Sequence, residues 1–381
     1  MRGSVTDHFE AAKIKQRFWT LDAMRGVAAI SIVISHTGMD FHGLMPRFPG
    51  MTVDLFFMLS GFVLAFNYDA KFRSGMLPGV FLSRRIKRLY PLFLLGIAVG
   101  VISRFYTWRS PMNPLEFAGS VGLSFFALPT PPIGIDPILF PVNVVFWSLF
   151  FEFWVANTIY AFFWRQLHGR NLALLIALCA LGLIVSERAF YTLDSGADWR
   201  TFLVGFARVG FGFFTGVAIS RLRATARRNV VAPSWLCLLM LVATIYLPLE
   251  NRPAHLFELG AIFFILPTLI YLGAGAKERN PRIGAALGDA SYAICVTHIP
   301  LSDIFYWARE HLPPVHTWFS TRWHVMVYQA GLISFVFVMA WCLDRWVDRP
   351  VRKRFAAAGL PVLWMRRPIA APGGPTAGTR L

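Results

Sequence analysis

Apolar positions in this chain gather into long runs separated by short polar clusters. A helix crossing a bilayer needs roughly 20 mostly apolar residues. Runs of that kind occupy 19–38, 51–68, 89–108, 143–163, 171–185, 202–220, 231–248, 256–274, 284–304 and 324–346. The pattern predicts an all-α protein, a polytopic transmembrane helical bundle of about ten spanning helices. A further apolar stretch, 115–129, is short and flanked by proline-rich segments. Prolines in 130–142 (TPPIGIDPILFPV) predict a shaped outer loop rather than a helix.

Charge turns the pattern into a topology. Only 15% of the 381 residues are charged, too few to cover a soluble protein of this size, and 56% are hydrophobic. Phe (36) and Trp (13) are abundant, as at bilayer interfaces. The net charge of +17 lies in clusters between apolar runs, not in one stripe, so it reads as the cytoplasmic bias of Lys and Arg and not as a nucleic-acid surface. The basic clusters Lys71 to Arg88, Arg165 to Arg170, Arg221 to Arg228, Lys277 to Arg282 and Arg349 to Arg354 share one side only if 115–129 dips in and returns. The expectation is therefore ten crossings, a re-entrant or interfacial segment at 115–129, and both termini cytoplasmic. The organisation expected is a cytoplasmic segment 1–18, a membrane domain 19–348, and a basic tail 349–381 disordered after about 366. No cleavable leader is expected. The four cysteines lie singly in apolar runs, with no metal-binding or redox spacing.

Ionisable residues inside spans are costly and mark candidate sites. Arg25 and His36 are eleven residues apart on the first run, close to three helical turns, so they share a face about 16 Å apart. They either line a polar passage or snorkel to the two interfaces. Asp54, at the outer end of the second run, is level with His36 and is placed to orient its imidazole or to cap its own helix. Ser60 and Gly61 read as close packing. Arg84, Arg85, Lys87 and Arg88 meet the start of the third run, where guanidinium groups suit phosphates. Glu152 lies at mid-span and must be protonated or paired. His298 falls in the outer half of its span, two residues before Pro300. Arg208 is a buried cation with no evident partner.

These residues resemble the acyltransferase-3 family of integral membrane O-acyltransferases, over roughly residues 17–356. Its opening L-D-x-L-R-G-x-A-A pattern, with a His eleven residues after the Arg, is matched by Asp22, Arg25, Gly26 and His36. V-D-x-F-F-x-L-S-G-F is matched from Val53 to Phe62, including Asp54, Ser60 and Gly61. An Arg-rich entry ending in Tyr-Pro is matched by Arg84, Arg85, Arg88, Tyr90 and Pro91. W-S-L-x-x-E is matched by Trp147, Ser148, Leu149 and Glu152, and G-x-x-S-Y-x(5)-H-x-P by Gly288, Ser291, Tyr292, His298 and Pro300. Two positions depart from the pattern: Phe153, where a second acid is frequent, and Cys295, where Tyr is common.

The resemblance implies transfer of an acyl group, most often acetyl, from cytoplasmic acyl-CoA to a hydroxyl of a cell-surface or lipid-linked carbohydrate, in a bacterial inner membrane. Acyl-CoA is then a co-substrate, no cofactor is bound permanently, and no metal is expected. On this reading Arg84, Arg85 and Arg88 dock the donor, and Arg25 holds it or polarises its carbonyl. His36 is the general base or briefly carries the acyl group, with Asp54 or Glu152 orienting it. His298, Ser291, Tyr292, Trp147 and Arg208 are candidates for substrate binding. Acylation of a small molecule such as an antibiotic or sugar, a transporter of sugars or anions, and a non-catalytic scaffold stay open.

Overall fold

Backbone inside a bilayer must satisfy its own hydrogen bonds, so apolar runs become helices. The computed structural model describes residues 17–36, 45–107, 113–132, 137–226, 230–249, 251–276, 281–312, 322–351 and 354. Most of the 1–18 segment and the tail beyond about 366 lie outside these residues. The described residues are helical, with no strands and one isolated β-bridge, Ile138 to Asp198.

In chain order the helices are α1 (Trp19–His36), α2 (Gly50–Arg73), α3 (Pro78–Tyr106), α4 (Pro114–Phe125), and a composite α5. In α5, a π-helical stretch Phe151–Ala156 joins Phe146–Phe150 to Asn157–Phe163. Then come α6 (Gly169–Phe190), α7 (Phe202–Thr225), α8 (Ser234–Tyr246) and α9, which runs through Asn251–Gly260, Ala261–Ile265 and Leu266–Gly273. Helix α10 is Pro281–His311, and α11 is Arg322–Leu343, continued by the π-helical Asp344–Asp348.

Each apolar run predicted to cross overlaps one of these helices, with ends that differ by a few residues. Six segments among the described residues are long and apolar enough to cross a membrane: Gly50–Arg73, Pro78–Tyr106, Gly169–Phe190, Phe202–Thr225, Ala254–Gly273 and Met326–Val351. This makes the protein a multi-pass membrane protein. Helices α1 and α10 fall outside the six because polar side chains interrupt their apolar character. Helix α8, at 13 residues, is short for a span.

Two boundaries correct the sequence reading. Lys71 to Arg88 is not a loop: α2 continues to Arg73 and α3 starts at Pro78, so the arginines sit within the first turns of α3. Proline at the first helical position is pre-set for such a start. The stretch 115–129 is helical only to Phe125, in the 12-residue helix Pro114–Phe125, about 18 Å long against a ~30 Å hydrocarbon core. Asn113 and Glu116 cap it reciprocally, and its far end is tied down by Tyr90 on α3 and by Trp154 Nε1 on α5, which donates to the Phe126 carbonyl at 3.0 Å.

Two close helix pairs place the functional residues. Helices α1 and α10 run in parallel, with Gly26 against Leu287 and Gly288 against Asp22, where a Cβ on either glycine would collide. Helix α2 packs on α7 through Gly61, which meets the Phe213 backbone, and Gly212 and Gly216, which meet the backbone at Asp54 and Met58.

That second approach joins Arg208 on α7 to Asp54 on α2. Arg208 Nε and Nη2 donate to the two carboxylate oxygens at 3.2 and 2.9 Å, and the side chains are 1% and 2% exposed. Arg208 also donates to the Gly50 carbonyl at 2.8 Å and the Ser195 carbonyl at 2.8 Å, and lies over the Trp147 ring at 5.2 Å. This overturns two expectations. Asp54 is not a partner for His36 and does not cap α2, which begins a full turn earlier at Gly50; its carboxylate neutralises Arg208. Arg208 has a partner, and its described donors go to Asp54 and to two carbonyls inside the packing.

Removing one member strands a buried charge. Asp54→Ala is expected to destabilise the protein by about 3–5 kcal/mol. The paired change Asp54→Leu with Arg208→Met is expected to restore much of that loss, because both charges leave together. Thermal unfolding of purified protein in detergent measures both.

Candidate functional site

A cavity of about 840 Å³ runs the length of α1, lined at one end by Arg17, Asp22 and Arg25 and at the other by His36. Its remaining walls come from α2, α3, α5, α10, the 191–201 segment and the π-helical end of α11. Arg25 and His36 thus do face one polar cavity, Arg25 half-buried and His36 exposed at its far end.

Cations and carboxylates share the Arg17 end, where Lys71, Arg85 and Arg88 face the cavity along with Asp22, Asp289, Asp344 and Asp348. Arg84 is exposed and does not line it, which corrects the expected trio. The cavity wall takes the residues three apart, Arg85 and Arg88, and their neighbour points elsewhere. An ion-pair lattice closes the same end. Arg17 bridges Asp22 at 2.7 Å and Asp289 at 2.6 Å, Arg349 bridges Asp289 at 2.8 Å and Asp344 at 2.7 Å, and Arg25 reaches Asp22 at 3.2 Å. The lattice ties the segment before α1 to α10 and the end of α11.

Midway, Glu152 accepts from Arg85 Nη2 at 2.7 Å and from Ser60 Oγ at 2.6 Å. The carboxylate is therefore paired, as a mid-span acid must be. Its residue sits in the π-helical stretch of α5, a local widening that recurs at functional positions. Ser60 is a cavity residue, not the packing residue its neighbour Gly61 implied. The described hydrogen bonds of Glu152 go to neither imidazole, so it does not orient His36 in this structure.

At the far end His36 meets His298, ring centroids 5.3 Å apart and planes tilted by 42°. His298 is fully buried, and its Nδ1 lies 3.0 Å from the Ile294 carbonyl and 2.8 Å from that of Cys295. Carbonyls only accept, so Nδ1 carries a hydrogen, and the neutral form of the ring has its lone pair on Nε2. Nε2 has no hydrogen-bond partner among the described residues. Asp194, from the 191–201 segment, also lines this end.

The remaining candidates divide clearly. Trp147, Ser291 and Tyr292 line the cavity. Ser291 Oγ donates to the Gly288 carbonyl at 2.8 Å and Tyr292 to that of Leu89 at 3.0 Å, tying α10 to itself and to α3. No group of His, Cys, Asp and Glu able to hold a metal exists among the described residues, and the cysteines there are free.

Sequence reasoning missed Asn143. Pro300 has no N–H for the carbonyl of Val296, four residues earlier. Asn143 Nδ2 donates to that carbonyl at 2.8 Å and so braces α10 beside His298. A proline in mid-helix is the signal that a carbonyl there needs an outside donor. Arg17 and Asp344 were missed because they sit where an apolar run starts or ends, as ordinary flanking charges do.

Comparison with known proteins adds the family. The profile described as "Acyltransferase domain", acyltransferase-3, matches residues 18–345. The chain is also similar to "Protein 2 in picA locus" from Rhizobium radiobacter, 36% identical over 188 residues, covering 46% of this chain and 97% of that protein. No solved structure matches. The matched region takes in every wall of the cavity from α1 to α10, and the chain belongs to the acyltransferase-3 family.

Proposed function

We propose that the protein is a membrane-embedded O-acyltransferase that moves an acyl group, acetyl being the first choice, from cytoplasmic acyl-CoA to a hydroxyl of a cell-surface or lipid-linked carbohydrate. The observation that carries this is the single cavity with guanidinium groups at one end and two imidazoles at the other. Phosphates call for bidentate cations, and a hydroxyl nucleophile calls for a base. A donor and an acceptor arriving from opposite sides need those groups at opposite ends of one passage.

In this reading the chain crosses a bacterial inner membrane ten times, with both termini and the Arg17 end of the cavity cytoplasmic and α4 at the interface. The Arg17 end takes the phosphates of CoA on Arg85 and Arg88. The thioester extends past Arg25 and the Ser60–Glu152 contact toward the imidazoles, where the acceptor hydroxyl loses its proton and attacks the thioester carbonyl. Arg25 lies on the donor's path, able to polarise the carbonyl or hold the pantetheine arm.

His36→Ala is expected to reduce transfer roughly 10²–10⁴-fold in protein that still folds, followed as CoA released from acetyl-CoA. Unchanged turnover would remove the mechanism. Arg88→Ala is expected to raise KM for acyl-CoA by about 10-fold to 100-fold with kcat little changed, the loss of one charge-assisted contact. Mass spectrometry of surface glycans from cells with and without the gene should show an acyl mass missing in the latter; uptake of labelled sugar without CoA consumption would point to transport instead.

A further inference from the structure

His298 is the least explained side chain in the cavity. It is fully buried, yet half of its ring chemistry is unused. An imidazole needing only to fill space would be replaced without loss by an apolar ring, and an imidazole serving as a structural tie would have both nitrogens engaged. Here Nδ1 is engaged twice, with the carbonyls of Ile294 and Cys295, while Nε2 meets no donor among the described residues. The backbone thus fixes the tautomer, and the tautomer it fixes is the one with a lone pair on Nε2. No carboxylate is used for the purpose; two carbonyls of the same helix do it.

The second ring sets where that lone pair works. His36 on α1 is 5.3 Å from His298 between centroids, and the two are not hydrogen-bonded to each other. Both line the cavity. Rings this close can reach a common oxygen placed beside the pair. Asn143 holds the Val296 carbonyl two residues from His298, so the ring sits on a braced part of α10 despite Pro300.

We propose that His298 is a catalytic residue, the ring whose Nε2 takes the proton of the acceptor hydroxyl, with His36 contacting the same oxygen. This rests on the acyltransferase reading above and divides the labour within its imidazole pair. The step balances simply. The acceptor O–H breaks and its proton goes to Nε2. The oxygen bonds to the thioester carbonyl carbon, the C–S bond breaks, and the departing CoA thiolate takes the proton back from Nε2. The resulting imidazolium keeps its Nδ1–H on the two carbonyls throughout, so no reorientation is needed.

His298→Asn tests this, because an asparagine amide can still donate to the two carbonyls but has no basic nitrogen. The assay is CoA release from acetyl-CoA by the purified full chain in detergent, with water or with hydroxylamine as nucleophile. Hydroxylamine is the stronger nucleophile and depends less on a base. The expected result is a loss of roughly 100-fold or more with water and a rate within about threefold of the unaltered protein with hydroxylamine. Equal losses with both nucleophiles would assign His298 a structural role and overturn the proposal. So would a His298→Asn protein as fast as the unaltered one, with the water-specific loss found instead in His36→Asn. If the unaltered protein releases no CoA with either nucleophile, from acetyl-CoA or longer acyl-CoAs, the acyltransferase reading itself fails and this assignment falls with it.

Discussion

A guanidinium held at 1% exposure inside an apolar bundle must find an acceptor for its N–H groups and a counter-charge for its cation, or the bundle does not form around it. Arg208 meets both needs at once. Asp54 on α2 supplies the charge, and the carbonyls of Gly50 and Ser195 take further donors. Those contacts fix the start of α2 and the 191–201 segment against α7, and Trp147 closes over the cation. The His36 end of the cavity keeps its shape because this one cation cannot be left unsatisfied. The glycines at 61, 212 and 216 let the helices come close enough for the pair to form.

The same rule governs the whole polar passage. Besides the local pairs Arg25–Asp22 and Arg349–Asp344, the charges along it are matched from a different helix or from the segment before α1: Arg85 by Glu152, Asp289 by Arg17 and Arg349, Asp54 by Arg208. Pairing across helices makes the passage and the fold one construction. Helices α1 and α10, which carry the two imidazoles at the far end of the passage, have a hydrophobicity too diluted for them to register as spans by composition.

Much of this was legible in the sequence. The helices follow from run length, and the shared face of Arg25 and His36 follows from eleven residues being close to three turns. What periodicity cannot give is which charge meets which. Asp54 and His36 lie at matching depth, and depth alone made them partners; α7, far along the chain, supplied the cation that claimed the carboxylate. Arg84 and Arg88 share a helical face, yet the wall of the cavity falls on Arg85 and Arg88, a choice made by the rotation of α3 against α5 and α10. Ser60 was hidden by Gly61, since small residues signal close packing and an adjacent hydroxyl is easily read the same way. The π-helical stretch carrying Glu152 leaves no mark in composition.

The bond from Asn143 to the Val296 carbonyl has a mechanical meaning. Proline unlocks one rung of α10, and the rung is latched by a residue outside that helix, at the junction between the proline-rich crossing of the bundle's rim and α5. The 137–145 strip is itself knitted to 191–201, with the Leu139 amide on the Ala197 carbonyl at 3.0 Å and the Trp199 amide on that of Pro137 at 2.8 Å. The latch therefore couples the rim to the buried imidazole. A bulky guest that pries the rim open pulls on the latch, and the ring two residues along feels the strain before the guest reaches it.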